Sequence, residues 1–265
     1  MISVITVSYN AEQFIEDTIR SVLTQQNKNF ELIIVDGLSR DNTIGVAKRL
    51  IEEYNFPEAR YTIISENDKG IYDAMNKGVK LSRGEYIIFM NCGDSFNNPQ
   101  VLNTIEDFSQ KKNADAIYGD TRITFYEGTG VFLGETGNGD KIMPFSHQSV
   151  FVKREHLINH PFDTSYRILA DREFFTWMRA NELSFAHCDV IVSNYDAREG
   201  LSENNPLQMA FERDRILGRA SIKFYIIRKL LLTITIGMIQ PIKRIIPRCI
   251  LNIYFKKKRK YIKWI

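Results

Sequence analysis

The chain predicts an α/β fold: a mixed, mainly parallel sheet with helices on both faces. Two observations in the first hundred residues carry this. Short aliphatic runs alternate with amphipathic segments of helix length, the pattern of strand-helix-strand units. The runs are apolar at nearly every position, as expected of strands covered on both faces. Each run also ends in polar residues: Ser8-Tyr9-Asn10, Asp36-Gly37, Ser65-Glu66-Asn67-Asp68 and Asn91-Cys92-Gly93-Asp94. Ligands on parallel sheets sit beyond the carboxyl ends of the strands, so these four clusters are expected to meet at one cleft.

The elements follow in order. Ile2–Ser8 reads as a strand. Phe14, Ile15, Thr18, Ile19, Val22 and Leu23 recur at helical spacing. Phe30–Asp36 is a second strand. Ile44, Ala47, Leu50, Ile51 and Tyr54 mark a second helix, with Asp41 as its cap. Tyr61–Ser65 is a third strand, 71–81 a helix and Tyr86–Met90 a fourth strand. Beyond residue 100 the pattern is less regular. Ala116–Tyr118 and Thr121–Phe125 read as two strands, the Gly-rich stretch 128–139 as a hairpin or mobile loop, 172–181 as a helix and Val190–Tyr195 as a strand.

Charge divides the chain. Residues 215–265 hold 14 of the 35 Lys and Arg and none of the 32 Asp and Glu, so +14 follows a body of −11. A boundary is therefore expected at 214/215, between an α/β domain (1–214) and a basic amphipathic segment (215–265). Leu230–Ile239 is too short to span a bilayer, which takes about 20 apolar residues. Arg228, Lys229, Lys243, Arg244 and Arg248 interrupt the apolar sequence, as in helices lying in a headgroup layer. Lys256-Lys257-Lys258-Arg259-Lys260, flanked by Tyr254, Phe255, Tyr261 and Trp264, suits an anionic membrane surface. The competing reading is a tail whose apolar residues pack on the domain. No nucleic-acid-binding motif accompanies the basic run, so nucleic acid is not an expected partner. Three scattered cysteines and an N-terminus without a secretory pattern fit a reducing compartment.

Three carboxylates are candidates for chemistry. Asp94 follows a strand on a tight turn, where a carboxylate either holds a divalent cation or bonds its own backbone. Asp36, at a strand end, either accepts a hydrogen bond from a nucleobase or caps a loop. Asp171, opening a helical stretch, is either a cap or a general base.

The motifs Thr6-Val7-Ser8-Tyr9-Asn10, Thr18–Gln25, Phe30–Thr43, Asp68–Gly78 and Gly84–Asp94, in this order and spacing, resemble the opening of family 2 glycosyltransferases with the GT-A fold. The similarity is dense over 1–100 and thinner over 145–202. It implies a Rossmann-like GT-A domain and inverting transfer of a hexosyl or N-acetylhexosaminyl unit from a nucleotide-diphosphate sugar to an acceptor hydroxyl. The acceptor would be a saccharide or a lipid-linked saccharide in surface-polysaccharide assembly. The resemblance implies that Thr6, Ser8, Asn10 and Asp36 line the nucleotide pocket and that Asp68, Asp73 and Asn91 face the donor. Asp94 would hold Mn²⁺ or Mg²⁺, and Asp171 would be the catalytic base. His147 and Arg198 would contact acceptor or phosphate. Where many members carry Asp-x-Asp, this chain has Asn91-Cys92-Gly93-Asp94, with one carboxylate, which implies a weakly held cation. With the basic tail, the expected location is peripheral, on the cytoplasmic face of the inner membrane.

Overall fold

Strand β1 (Ile2–Ser8) is buried at every position. It lies between β2 (Phe30–Asp36) and β4 (Tyr86–Phe89), parallel to both, and β3 (Tyr61–Ser65) extends the sheet beyond β2. Because side chains alternate across a strand, the sheet feeds two cores. Val4, Leu32, Ile34 and Ile88 face one side, where helices α1 (Ile15–Leu23), α2 (Thr43–Glu53) and α4 (Val101–Lys112) cover them. Ile5, Ile33, Val35 and Ile87 face the other, beneath α3 (Ile71–Leu81) and α6 (Ala170–Ala180). This is the two-faced burial that the uninterrupted apolar runs predict. Each fully buried Ile, Val or Leu contributes about 1.5–3 kcal/mol. The computed structural model describes residues 1–134, 142–198, 205–219, 259 and 262–265.

The second half is mostly antiparallel. Strands β5 (Ser95–Phe96), β6 (Ala116–Phe125), β7 (Gly128–Phe132), β8 (Val150–Lys153), β9 (Phe185–Asp196) and β10 (Ile262–Trp264) join the same sheet. Its main path runs β10-β7-β6-β8-β4-β1-β2-β3, with β9 paired to β5 and, in parallel, to β6. Two short helices complete the described chain: α5 (Arg154–Asn159) after β8 and α7 (Pro206–Ile216) after β9. The two strands expected over 116–125 are one. The interruption is a register irregularity against β9 between Tyr118 and Thr121, at Gly119, where a Cβ would collide with the Val190 carbonyl. The expected hairpin is the β6–β7 pair; residues 135–141 lie outside the described residues.

Helix α7 runs across the expected boundary at 214/215, and Glu212 on that helix is buried. The chain end is also part of the sheet. Ile262 packs with Ile123, Phe125 and Phe132, Trp264 lies 5.8 Å from the Phe125 ring, and Arg259 Nη1 reaches Glu127 at 2.9 Å. Ile262 is buried there and Trp264 half-buried, whereas Ile265 is exposed. Most of the basic apolar stretch, 220–258, lies outside the described residues.

Candidate active site

The carboxyl ends of β1, β2 and β3 are in register, with Ser8 beside Asp36 and Asp36 beside Ser65. Asp36 is fully buried and accepts from Ser8 Oγ (3.0 Å), Ser65 Oγ (2.7 Å) and both the amide and hydroxyl of Ser39. Four donors fill the four acceptor positions of a carboxylate. Burial pushes the Asp36 pKa up, and these donors more than offset it, so its pKa lies below the usual range. In this arrangement Asp36 ties three strand ends together. Asn10, at a left-handed φ of 47°, continues the brace: its amide donates to Ser39 Oγ and its Oδ1 accepts from the Arg40 amide. Thr6, two residues short of the strand end, is fully buried, lines neither described cavity, and its hydroxyl has no partner among the described residues.

Asp68 and Asp73 organise the next loop. Asp68 Oδ1 accepts from the Gly70 amide at 2.8 Å. Asp73, in the first turn of α3, accepts from the Lys69 amide at 3.0 Å and lies 3.6 Å from Lys77 Nζ. Asp73 lines a cavity of about 310 Å³ together with Lys69, Tyr166 and Arg167.

A larger cleft of about 840 Å³ opens beside it. One wall is the turn 91–94 after β4. Gly93 takes φ +97°, a conformation L side chains rarely adopt. Thr18 of α1 pins the turn by donating to the Asp94 carbonyl (2.7 Å) and accepting from the Gly93 amide (3.1 Å). Asp94 is 6% exposed. Its burial raises its pKa well above the carboxylate range, against the opposing hydrogen bonds of Gln148 and the Asn91 backbone. The neighbouring Asn91 has a buried Oδ1 with no hydrogen-bond partner among the described residues. Between them the Cys92 thiol is pushed up to about 12 by burial and by the charges of Asp94, Asp36 and Asp41, so it stays protonated and is a poor nucleophile.

The opposite wall carries Asp171 in the first turn of α6. Its Oδ1 accepts from the Arg172 amide (2.7 Å) and lies 3.2 Å from the Tyr72 hydroxyl, which also donates to the Ile168 carbonyl (2.6 Å). Its Oδ2 lies 3.4 Å from His147 Nδ1. The His147 side chain is 35% exposed and lines the cleft. Poor solvation lowers its pKa despite the Asp171 charge, which favours the neutral imidazole near pH 7. His147 and Gln148 are successive residues of one 3₁₀ turn, His147–Ser149. One meets Asp171 and the other Asp94, so the two carboxylates face a common space. Arg198 also lines this cleft, paired with Asp196 through Nη2 and Oδ2. The adjoining Glu199–Ser202 lie outside the described residues.

Comparison with known proteins decides what this cleft belongs to. Residues 3–175 match the profile of Glycosyl transferase family 2. The chain belongs to this family. This glycosyltransferase is 31% identical over 210 residues to a PGL/p-HBAD biosynthesis glycosyltransferase of Mycobacterium bovis, covering 76% of this chain and 79% of that one. It is 32% identical over 120 residues to the putative teichuronic acid biosynthesis glycosyltransferase TuaG of Bacillus subtilis, covering 45% and 46%. Among solved structures, S. aureus TarS in complex with UDP matches with a TM-score of 0.64 at 17% identity, over 81% of this chain and 63% of that one. The Pyrobaculum calidifontis mannosyltransferase in complex with GDP-Man and Mn²⁺ matches with 0.64 at 18% identity, over 82% and 63%. At those identities the likeness is one of fold, and it spans less than two thirds of either structure.

The family 2 match extends to residue 175, so it takes in Asp36, Asp94, His147 and Asp171. Sequence reasoning missed three residues of the site. Thr18 was legible as a polar residue on the buried stripe of α1. Gln148 directly follows His147, which the resemblance had pointed to. Tyr72 lies 99 positions from Asp171, and no local pattern announces their contact.

A divalent cation fits the residues of the first wall. Asn91 Oδ1 and the Asp94 side chain both offer buried oxygen atoms, and Asn91 Oδ1 has no partner among the described residues. Oxygen ligands are what Mg²⁺ and Mn²⁺ take.

Proposed function

We propose that this glycosyltransferase moves a sugar from a nucleotide-diphosphate donor to an acceptor hydroxyl by single displacement, with inversion at the anomeric carbon. The observation that carries the reading is the pair of carboxylates across one cleft, Asp94 and Asp171, joined through the successive residues Gln148 and His147. Asp171 accepts the proton of the acceptor hydroxyl as its oxygen attacks the anomeric carbon and the bond to the diphosphate breaks. The Tyr72 hydroxyl and Arg172 amide hold Oδ1, leaving Oδ2 towards the cleft beside His147. Asn91 and Asp94 would hold the divalent cation, which when bound neutralises charge on the leaving diphosphate. Asn10, Asp68 and Asp73 shape the strand-end loops on the nucleotide side, and Arg198 offers a cation to phosphate or acceptor.

The acceptor reading rests on the cleft and on the relatives. Phe14, Ile71, Met75, Tyr126 and Phe175 give its walls an apolar character suited to more than a bare sugar. The two relatives are named for PGL/p-HBAD biosynthesis and for teichuronic acid biosynthesis, the second as putative. A lipid-linked or glycolipid acceptor agrees with both. The test is a thermal-shift panel of nucleotide sugars with and without Mn²⁺. One donor at 100 times its Kd should stabilise the fold by about 2.7 kcal/mol, a shift of roughly 5–10 °C for a chain this size. A panel with no selective ligand under either condition overturns the reading.

We also propose peripheral attachment to the cytoplasmic face of the inner membrane through residues 220–258. No helix among the described residues is long and apolar enough to cross a membrane. The support is the +14 charge of 215–265. Deleting the tail would strip β10 from the sheet and expose Phe125 and Phe132, so the full chain must be used. Flotation with anionic vesicles should show binding that weakens with salt, and neutral vesicles should bind poorly. Changing Lys256, Lys257 and Lys258 to Gln should weaken anionic binding about 10²-fold, at about 1 kcal/mol per basic residue. Equal binding to both vesicle types, or none, overturns the attachment.

A further inference from the structure

Glu212 is 1% exposed on helix α7, and every acceptor position of its carboxylate is used. Oε1 accepts from the Arg167 amide (2.8 Å) and Gln208 Nε2 (2.7 Å), and Oε2 from the amides of Ile168 (3.0 Å) and Leu169 (2.8 Å). A buried carboxylate without such donors is strongly destabilising, so the arrangement is specific. Three consecutive amides converge on it at the residues leading into α6, where the positive end of the helix dipole also points. Those residues set the base. The Ile168 carbonyl holds the Tyr72 hydroxyl, Tyr72 lies against Asp171 Oδ1, and Asp171 is two residues beyond Leu169. The same segment brings Arg167 to the rims of both cavities.

We propose that Glu212 is a positioning residue for the catalytic base: it fixes segment 167–169, and through it the placement of Asp171 and Tyr72. The inference rests on the assignment of Asp171 as base. It also makes α7, which leads into the basic segment, part of the active-site architecture. Loss of the three-amide clamp allows α6 to start in a shifted register. The Asp171 carboxylate then leaves the line of the acceptor hydroxyl, while the donor side, built on β1, β2 and the 91–94 turn, is untouched.

The experiment is a double-mutant cycle on the full-length enzyme. Glu212→Gln keeps the shape but turns an NH₂ group towards amide donors. It should lower kcat by about 10–100-fold, the scale of a misplacement near 1 Å. Nucleoside-diphosphate affinity should stay within about twofold. In an Asp171→Asn background the same change should cost little more, because the group it positions is already gone. Gln208→Leu, which removes one donor without touching segment 167–169, serves if Glu212→Gln folds poorly. It should lower kcat by about three- to tenfold, the scale of one hydrogen bond. Wild-type kcat in Glu212→Gln, or in Gln208→Leu where Glu212→Gln folds poorly, overturns the proposal. So does an equal fold-loss in the wild-type and Asp171→Asn backgrounds, which marks general destabilisation. Wild-type turnover in Asp171→Asn alone overturns the base assignment itself.

Discussion

Asp171→Asn is expected to lower turnover by about 10²-fold or more, the usual worth of a positioned general base, while donor affinity changes within about twofold. The amide is isosteric with the carboxylate. Its oxygen can still accept from the Arg172 amide and the Tyr72 hydroxyl, so α6 should keep its start and the protein its stability. What is lost is the capacity to take a proton. The acceptor hydroxyl must then attack while still protonated, at a cost of about 1.36 kcal/mol per decade of rate. Steady-state rates with saturating donor, beside calorimetric titration of the nucleoside diphosphate, separate the two effects. Near-wild-type turnover would move the base to His147, whose lowered pKa favours a neutral, proton-accepting ring in the same cleft.

Asp94→Asn, and removal of divalent cations, should each abolish most activity. A cation at a departing diphosphate is worth several kcal/mol, so a loss of about 10³-fold is expected. With one carboxylate, Mn²⁺ alone should bind weakly and much more tightly beside UDP or GDP, whose phosphates complete the ligand set. The substitution should not unfold the protein. Asp94 is a buried carboxylate held against its own solvation, and exchanging it for a neutral amide should leave the metal-free fold as stable as before or more so, a trade of stability for function. Calorimetry of Mn²⁺ with and without nucleotide, and melting curves of both forms in EDTA, read these effects. Full activity in excess EDTA would remove the cation from the mechanism.

Much of the parallel half was legible because its signals are local. A strand covered on both faces must be apolar along its length, as Ile2–Ser8 and Phe30–Asp36 are, and a helix packed on one side must repeat at 3.6 residues, as α1 does. Parallel strands then place Ser8, Asp36 and Asn91 at one sheet edge with no further information. The antiparallel half was harder to read. Strand β6 is interrupted at Gly119 by an irregularity that depends on β9, some 70 positions later, and β10 joins the sheet from the far end of the chain. The tail shows the same limit: its charge is plain in the sequence, but the packing of Trp264 and Arg259 on the Phe125 ring is not.

The sequence by itself determined the family, the α/β class, and the types of group at the cleft: one carboxylate after β4, one at the start of α6, one histidine in the turn before β8. These depend on residue identity and short-range spacing. Only the tertiary structure decided their standing. It saturated Asp36 with four donors and buried Thr6 within β1. It left Asn91 Oδ1 near Asp94 without a partner among the described residues, and set His147 and Gln148 against different carboxylates. It also brought Glu212, 41 positions after Asp171, against the amides of residues 167–169 that lead into α6. The physical reason is common to all of these. A polar group's role is set by which donors and acceptors reach it once water is excluded, and those partners come from strands and helices far apart in the chain.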